Sequence, residues 1–486
     1  MHTEWSRRKL FVAAVVLALV PRLLLFVAVQ PWLPSVSALV IDQPNSDSLN
    51  YHELGVILAR DHVYALDATG TPEGDRVPLY PMFLAAVYTL FGTQPWPALL
   101  LQILIASVGS GLLALTAADA FGSRAGKWTA GLFALAPLQV LYPLSLMSET
   151  MFVSLLIACA YSVSRALRPM PDAQPVRQLA LAGIALGLAT LTRPAAEYLC
   201  VGLAALMIVR WRRQPRAATL RCAVFLATFA LVVAPWFVRN AQTFGVATLS
   251  ANGSANVLLL YVLPMEMERR SASREVAAAQ LSAEVTAEMD RDGRGQDNEL
   301  LRSQYDQLLG WRYIRTYPVS FAKHYALGIF RTLAGVAIGS FGPLLGIATG
   351  SQAFDIWAFG DPVTLIRQWL ANHTPKELGF ALVVSAYSLV TYVLASVGLV
   401  RAARARRWNR SVDPAEWVLA LWLLCAAYFV LVTGPGGDAR YRVPSEPFLI
   451  ALAAAALVST RSTAHRTRTA TLEPLQPSQP VLNQAG

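Results

Sequence analysis

Two acids and a group of arginines carry the chemistry that this sequence could perform. Asp47 lies in Asn45-Ser-Asp-Ser-Leu-Asn-Tyr51. On a helix capped by Ser46, residues Asp47, Tyr51, Leu54 and Leu58 recur at spacings of 4, 3 and 4, which puts them on one face. The carboxylate then stands on an apolar, inward stripe, although the helix dipole alone also favours an acid at this place. His52 and Glu53 fall on other faces and read as solvated, while Asp42 upstream can join Asp47. Glu149, in Met147-Ser-Glu-Thr150, opens an apolar segment with no basic residue nearby in sequence, so it needs a partner from elsewhere in the chain. The arginines are Arg76 in Asp75-Arg-Val-Pro-Leu-Tyr-Pro81, Arg193 in Leu191-Thr-Arg-Pro194 with Glu197 close by, Arg239 in Trp236-Phe-Val-Arg-Asn240, and Arg440 and Arg442 in Gly437-Asp-Ala-Arg-Tyr-Arg-Val-Pro444. Arg22, beside Pro21, is a further cation inside an apolar run. A carboxylate can take a proton from an incoming hydroxyl or amine, and guanidinium groups can stabilise a departing phosphate. Phosphate leaves with little acid assistance, so one base and several cations would suffice.

The elements that must position these groups are membrane spans. Of 486 residues only 14% are charged and 55% are hydrophobic, with a mean hydropathy of +0.44. A soluble domain carries about 25% charged residues, so this chain cannot cover a water-facing surface of its size. Apolar segments recur near 10–29, 97–118, 128–143, 150–165, 179–192, 197–209, 222–238, 378–400, 416–433 and 447–459. They predict an all-α polytopic bundle of about 10 to 12 transmembrane helices. The first run follows Arg7, Arg8 and Lys9 and lacks a clear cleavage site, so it reads as a retained span. Every second connection is basic, which places those loops and both termini in the cytoplasm. They hold 21 Lys and Arg against 6 Asp and Glu, leaving 19 against 24 for the rest of the chain. The formal charge of +10 therefore reports orientation and gives no reason to expect nucleic acid.

By alternation the long connections 30–96 and 239–377 face outward, as does 434–446, where arginine runs against the positive-inside tendency and calls for an anionic partner. Leu79–Phe91 cannot cross without inverting every later loop, so it is expected to lie at the interface, with Arg76 at headgroup level. Residues 266–317 are polar and helix-forming and predict a cap outside the membrane. The segment 325–347 contains either no crossing or two. Residues 466–486 read as a disordered cytoplasmic tail.

Several chemistries have no support. Gly122-Ser-Arg-Ala-Gly126-Lys127 is one residue short of a phosphate loop, and His52-Glu53 lacks a second histidine at position 56, which is Val. The four cysteines, Cys159, Cys200, Cys222 and Cys425, sit in apolar stretches and read as small core residues.

The order Ser46-Asp47-x-x-x-Tyr51, Arg76-Val-Pro-Leu-Tyr-Pro81, Leu191-Thr-Arg-Pro194, Pro235-Trp-Phe-Val-Arg-Asn240 and Gly437-Asp-Ala-Arg-Tyr-Arg-Val-Pro444 resembles the bacterial family 39 glycosyltransferases. These are GT-C fold enzymes related to protein O-mannosyltransferases and to the lipid A aminoarabinose transferase. The likeness covers roughly residues 10–460. It implies a polyprenyl-phosphate sugar donor, inversion at the anomeric carbon and an active site on the outer face of the bacterial cytoplasmic membrane. It carries the catalytic base onto Asp47, supported by Tyr51 and Tyr80, and a second acidic position onto Glu149. Arg193, Arg239 and Arg440 would then contact donor or phosphate, and Arg76 and Arg442 are further candidates from their place at the outer interface. The acceptor is a lipid, a glycan or a protein. Ser-Asp-Ser stands where some relatives carry adjacent acids, which leaves a divalent metal at Asp47 open and no other cofactor implied. The aminoarabinose transferase has an outward C-terminal domain where this chain has a short tail, which disfavours lipid A as acceptor. A flippase of lipid-linked saccharides and a polysaccharide polymerase or ligase are the competing readings; a pair of Gly/Pro-broken halves would favour transport, and no internal repeat is seen.

Overall fold

The computed structural model describes residues 5–43, 46–65, 67, 69–168, 174–295, 298–347, 367, 371, 374–408 and 414–458. The expected tail, 466–486, lies outside them, as does much of 348–373. The described chain is helical, with one isolated β-bridge joining Ala65 and Pro72. It begins with α1 (Arg7–Val29), α2 (Pro34–Ile41), α3 (Ser48–Asp61), α4 (Leu79–Phe91), α5 (Trp96–Phe121), α6 (Ser123–Leu135) and α7 (Pro137–Leu141). Next come α8 (Glu149–Leu167), α9 (Pro175–Thr190), α10 (Leu199–Arg210) and α11 (Pro215–Phe244). A cap of α12 (Ala251–Asn256), α13 (Leu263–Arg270), α14 (Arg274–Arg291) and α15 (Glu299–Thr316) precedes α16 (Pro318–Ala334) and α17 (Ile338–Phe341). The helices Pro375–Trp408, Pro414–Val432, Ala439–Arg442 and Glu446–Ala456 follow.

Among the described residues six helices are long and apolar enough to cross a membrane: α1, α5, α8, α11, Pro375–Arg401 and Pro414–Val432. Three shorter apolar helices, α4, α9 and Glu446–Ala456, complete the apolar set. On α1 the residues Val12, Val16, Val20, Leu24 and Val27 form one stripe, each between 49% and 67% exposed. That stripe is stable only against lipid. α5 and α8 are the most enclosed of the six and form the centre of the bundle.

The expected span 128–143 is broken in two. Pro137 opens α7 and cannot donate to the turn before it, and the preceding Ala136 is held extended at φ −65° and ψ 114°. α4, by contrast, has the boundaries anticipated from sequence, and it packs on α3 where Gly55 meets Leu84 and Tyr88. In the cap, Ala277, Leu281, Val285 and Met289 recur every four residues and are buried. Ser273 and Asn298 cap α14 and α15 by accepting the main-chain N–H groups of Val276 and Leu301.

Without a hydrophobic drive between helices in lipid, close approach depends on small residues. Gly183 and Gly187, one turn apart on α9, face α11. A side chain at Gly183 would strike the Phe225 carbonyl and Thr228 Oγ1, and one at Gly187 would strike Val232. Gly183→Leu is therefore expected to destabilise the bundle by about 1–3 kcal/mol, lowering its melting temperature in detergent. Gly131→Ala, which meets nothing within 4 Å, is expected to leave that temperature unchanged or raise it slightly.

Candidate active site

Asp47 immediately precedes α3, at φ −94° and ψ 10°, and its side chain makes no capping bond. Ser46 is not the N-cap residue, since it lies one position before Asp47; its Oγ donates to the Gln43 carbonyl at 2.7 Å and accepts the first helical N–H, that of Ser48, at 3.2 Å. α3 thus starts later than a Ser46-capped helix would, and the Asp47 carboxylate is free to turn toward arginines. The predicted face is otherwise formed, with Tyr51 and Leu54 buried. His52, expected to be solvated, is half-buried and bonds Tyr88 Oη through Nδ1 at 2.9 Å.

Three arginines from separate segments meet the two acids. Arg76 Nη2 donates to Asp47 Oδ1 at 2.9 Å, and Arg440 Nη2 donates to Asp47 Oδ2 at 2.8 Å. Arg440 also donates through Nε to Glu149 Oε1, which receives Arg193 Nη1 at 2.5 Å. Glu149 is 1% exposed, whereas the Asp47 side chain is 27% exposed and the three arginines 16–18%. Asp47 is the acid open to an incoming group. Ser148 joins the two halves: its Oγ accepts from Tyr51 Oη and from Arg193 Nη1, both at 3.3 Å.

Local structure aims each arginine. Asp438 accepts the Arg440 N–H at 2.7 Å and starts the short turn Ala439–Arg442. The strand of glycines before it packs so closely on α16 that any side chain at Gly437 would overlap the Gly328 carbonyl. Arg76 lies 5.6 Å over the Tyr51 ring, which meets Tyr80 edge-on at 4.8 Å. Tyr80 in turn donates to Gln102 at 2.9 Å, so its part is to brace Tyr51.

Arg239 and Arg442, expected as phosphate contacts, lie outside this group. Arg239 donates to the carbonyls of Glu73 and Tyr64 and to Asn240 Oδ1, with Tyr64, Trp236 and Phe244 around it. Arg442 donates to Glu446 at 3.0 Å and to the carbonyls of Leu333 and Gly335. Both tie loops to helices. Tyr142 and Tyr441, which sequence reasoning passed over, flank the network within electrostatic reach of Arg193 and Arg440.

Burial pushes the Asp47 carboxyl up, but Arg440 and then Arg76 outweigh it and hold the group down at about 2. Asp47 is thus ionised at neutral pH, and it stays a weak base while both guanidinium groups remain on it. Each of its oxygens already faces a cation, so this donor set does not suit a divalent metal. Within the hydrogen-bonded group two carboxylates meet three guanidiniums, and the further acids Asp75 and Glu73 also act on Arg76.

The polytopic helical bundle is of the GT-C fold. The protein shares that fold with the Archaeoglobus fulgidus oligosaccharyltransferase. The form tethered to an acceptor peptide containing the NVT sequon matches with a TM-score of 0.51 at 15% identity, over 96% of this chain and 51% of that one. The apo form matches with a TM-score of 0.50 at 16% identity, over 97% and 53%. The chain therefore spans about half the length of these structures. ArnT from Cupriavidus metallidurans bound to undecaprenyl phosphate aligns over 97% of this chain and 81% of that one, at 15% identity and a TM-score of 0.38. Residues 75–238 match the family model of dolichyl-phosphate-mannose-protein mannosyltransferases. No curated protein matches the chain. The chain is a multi-pass membrane protein of GT-C fold, and the segment that matches the family model contains Arg76, Glu149 and Arg193.

Beside Arg76, the first loop meets the cap through three acids. One carboxylate oxygen each from Glu73, Asp75 and Glu299 lies within 4.8 Å of the others. Burial, together with Asp75 and Glu73, pushes the Glu299 carboxyl up to about 7. A carboxyl raised on folding binds its proton more tightly in the native state, so its stabilising effect is complete below about pH 4.5 and lost as pH rises to about 7. Glu299→Gln should therefore raise the melting temperature by a few degrees at pH 8 and change it little at pH 5, as read by thermal unfolding at both values.

Proposed function

We propose that the protein transfers a sugar from a polyprenyl-phosphate donor to an acceptor hydroxyl or amine, with inversion, at the outer face of the bacterial cytoplasmic membrane. The observation that carries this reading is the Arg440 guanidinium shared between Asp47 and Glu149, with Arg76 and Arg193 closing the group. Its three convergent guanidiniums suit a phosphate diester, and its most accessible acid suits a base. The acceptor oxygen or nitrogen attacks the anomeric carbon while Asp47 takes its proton. The bond from that carbon to the phosphate oxygen breaks, and polyprenyl phosphate leaves with the electron pair, its new charge stabilised by Arg440, Arg193 and Arg76. A donor phosphate that draws Arg440 or Arg76 toward itself also weakens their hold on Asp47, so the base gains strength once the donor is bound. Arg239 and Arg442 have no direct part in this scheme, because main-chain carbonyls or Glu446 already engage them.

Purified protein supplied with radiolabelled polyprenyl-phosphate sugars and candidate acceptors tests the reading. Asp47→Asn should lower kcat by at least about 100-fold with donor affinity retained. Arg193→Ala should weaken the donor by about tenfold, a loss of about 1.4 kcal/mol. Transfer at the normal rate by folded Asp47→Asn protein sinks the assignment of the base.

The pH profile tests the coupling between donor and base. kcat/KM reports the free protein and should stay level down to about pH 5, because Asp47 is held low there. The acid limb of kcat reports the donor complex and should lie at higher pH. Coincident limbs in the two profiles would exclude the coupling.

A further inference from the structure

Glu149 uses only one of its oxygens. Oε1 receives both Arg193 and Arg440, while among the described residues no donor reaches Oε2, although the side chain is 1% exposed. The next residue repeats the pattern: Thr150 is 5% exposed, and its Oγ1 has no hydrogen-bond partner among the described residues. Ser107, Thr116 and Ser154 each return to the carbonyl four residues earlier, whereas Thr129, Thr190 and Thr391, like Thr150, have no hydroxyl partner among the described residues. Thr150 is the second residue of α8 and has no preceding helical turn to accept it. A buried polar group without a partner is costly, and the cost is greater for a charged one.

Glu149 and Thr150 line the same small cavity, together with Ala106, Phe133, Gln139 and Tyr142. Its volume, about 10 Å³, matches a single buried water. From this arrangement we infer that Thr150 is a positioning residue: through one enclosed water it holds the second oxygen of Glu149, and thereby fixes Arg193 and Arg440. The water donates to Glu149 Oε2, exchanges a hydrogen bond with Thr150 Oγ1 and fills the space beneath the carboxylate. With Oε2 held, the carboxylate cannot rotate, and the two guanidiniums on Oε1 keep the geometry that a phosphate needs. This role rests on the reading of the site as a lipid-phosphate site.

The test uses the full chain in lipid nanodiscs, with undecaprenyl phosphate as the probe. Thr150→Val keeps the shape and removes the hydroxyl, Ala106→Val keeps the hydroxyl and fills the cavity, and Thr150→Ser restores the hydroxyl. The two valine variants should each bind undecaprenyl phosphate about tenfold more weakly, with acceptor KM unchanged, and Thr150→Ser should bind within about twofold of wild type. A high-resolution cryo-EM map should contain a water peak within hydrogen-bonding distance of Glu149 Oε2 and Thr150 Oγ1. Wild-type affinity in folded Thr150→Val, or a map without that peak, overturns the inference. Should Thr150→Val fail to fold, Ala106→Val and the map decide. Failure of the wild type to bind the probe instead overturns the lipid-phosphate reading, and the map alone then judges the water.

Discussion

The Arg440 guanidinium lies between Asp47 and Glu149, residues 393 and 291 positions away in the chain. A buried charge must be paired, and removing one partner of a buried pair typically costs about 3–5 kcal/mol. The loop 434–446, the start of α8 and the residue before α3 are therefore held to one arrangement by a single side chain. Much of the surrounding structure serves that placement. Asp438 orients the turn that carries Arg440, and the contact of Gly437 with Gly328 seats this turn against α16. Ser148 then links the Tyr51 and Arg193 sides of the group. A helical bundle sliding freely in lipid would not preserve such a constellation; the ionic bridge sets the depth at which loops and helices meet.

The arginines fall into two chemical kinds. Arg239 and Arg442 make most of their hydrogen bonds to main-chain carbonyls, which are neutral and immobile, and Arg442 adds a pair with its helical neighbour Glu446. Such bonds hold backbone in place, and a phosphate could displace them only by undoing the fold. Arg76, Arg193 and Arg440 instead face carboxylates and a serine hydroxyl. A guanidinium shared among acids can exchange one anion for another with little movement, because carboxylate and phosphate present similar oxygen geometry. This second kind gives the proposed phosphate site its cations and its adaptability.

Parts of this arrangement are legible in the sequence because they depend on local spacing. The Asp47, Tyr51 and Leu54 face and the cap helix with its fourfold apolar repeat follow from helical periodicity. The boundaries of α4 follow from the apolar run after Pro78 and from Gly92, which adopts φ +78°. The break between α6 and α7 was also present, in Pro137, but the continuous hydrophobicity across 128–143 masked it. Which arginine would find which acid was not legible. Arg239 and Arg440 look alike in sequence, each near the end of an apolar helix, and only tertiary contact gives one a carbonyl and the other two carboxylates. Ser148 and Thr150 gave no signal at all, because a hydroxyl at a helix start is ordinary until its neighbours are known.

The stretch 73–76 shows how the cap bears on the site. The Glu73 carbonyl accepts Arg239, the Gly74 carbonyl accepts the Ala251 N–H at 3.0 Å, and the Asp75 carbonyl accepts Asn252 Nδ2 at 3.2 Å. Gly74 itself is pressed against Leu300, so closely that a side chain there would overlap the leucine. Glu73 Oε1 accepts the Arg76 N–H at 2.8 Å and fixes the turn that leads into α4. Three consecutive residues are thus bound to α11 and to the cap, and the fourth is Arg76, whose guanidinium lies on Asp47. Close-packed elements transmit displacement and absorb little of it. Any shift of α12 or α15 against the bundle must therefore move the Arg76 main chain and, with it, one of the two cations that hold the Asp47 carboxylate. The cap is mechanically part of the site, although no cap residue touches either acid at its centre among the described contacts.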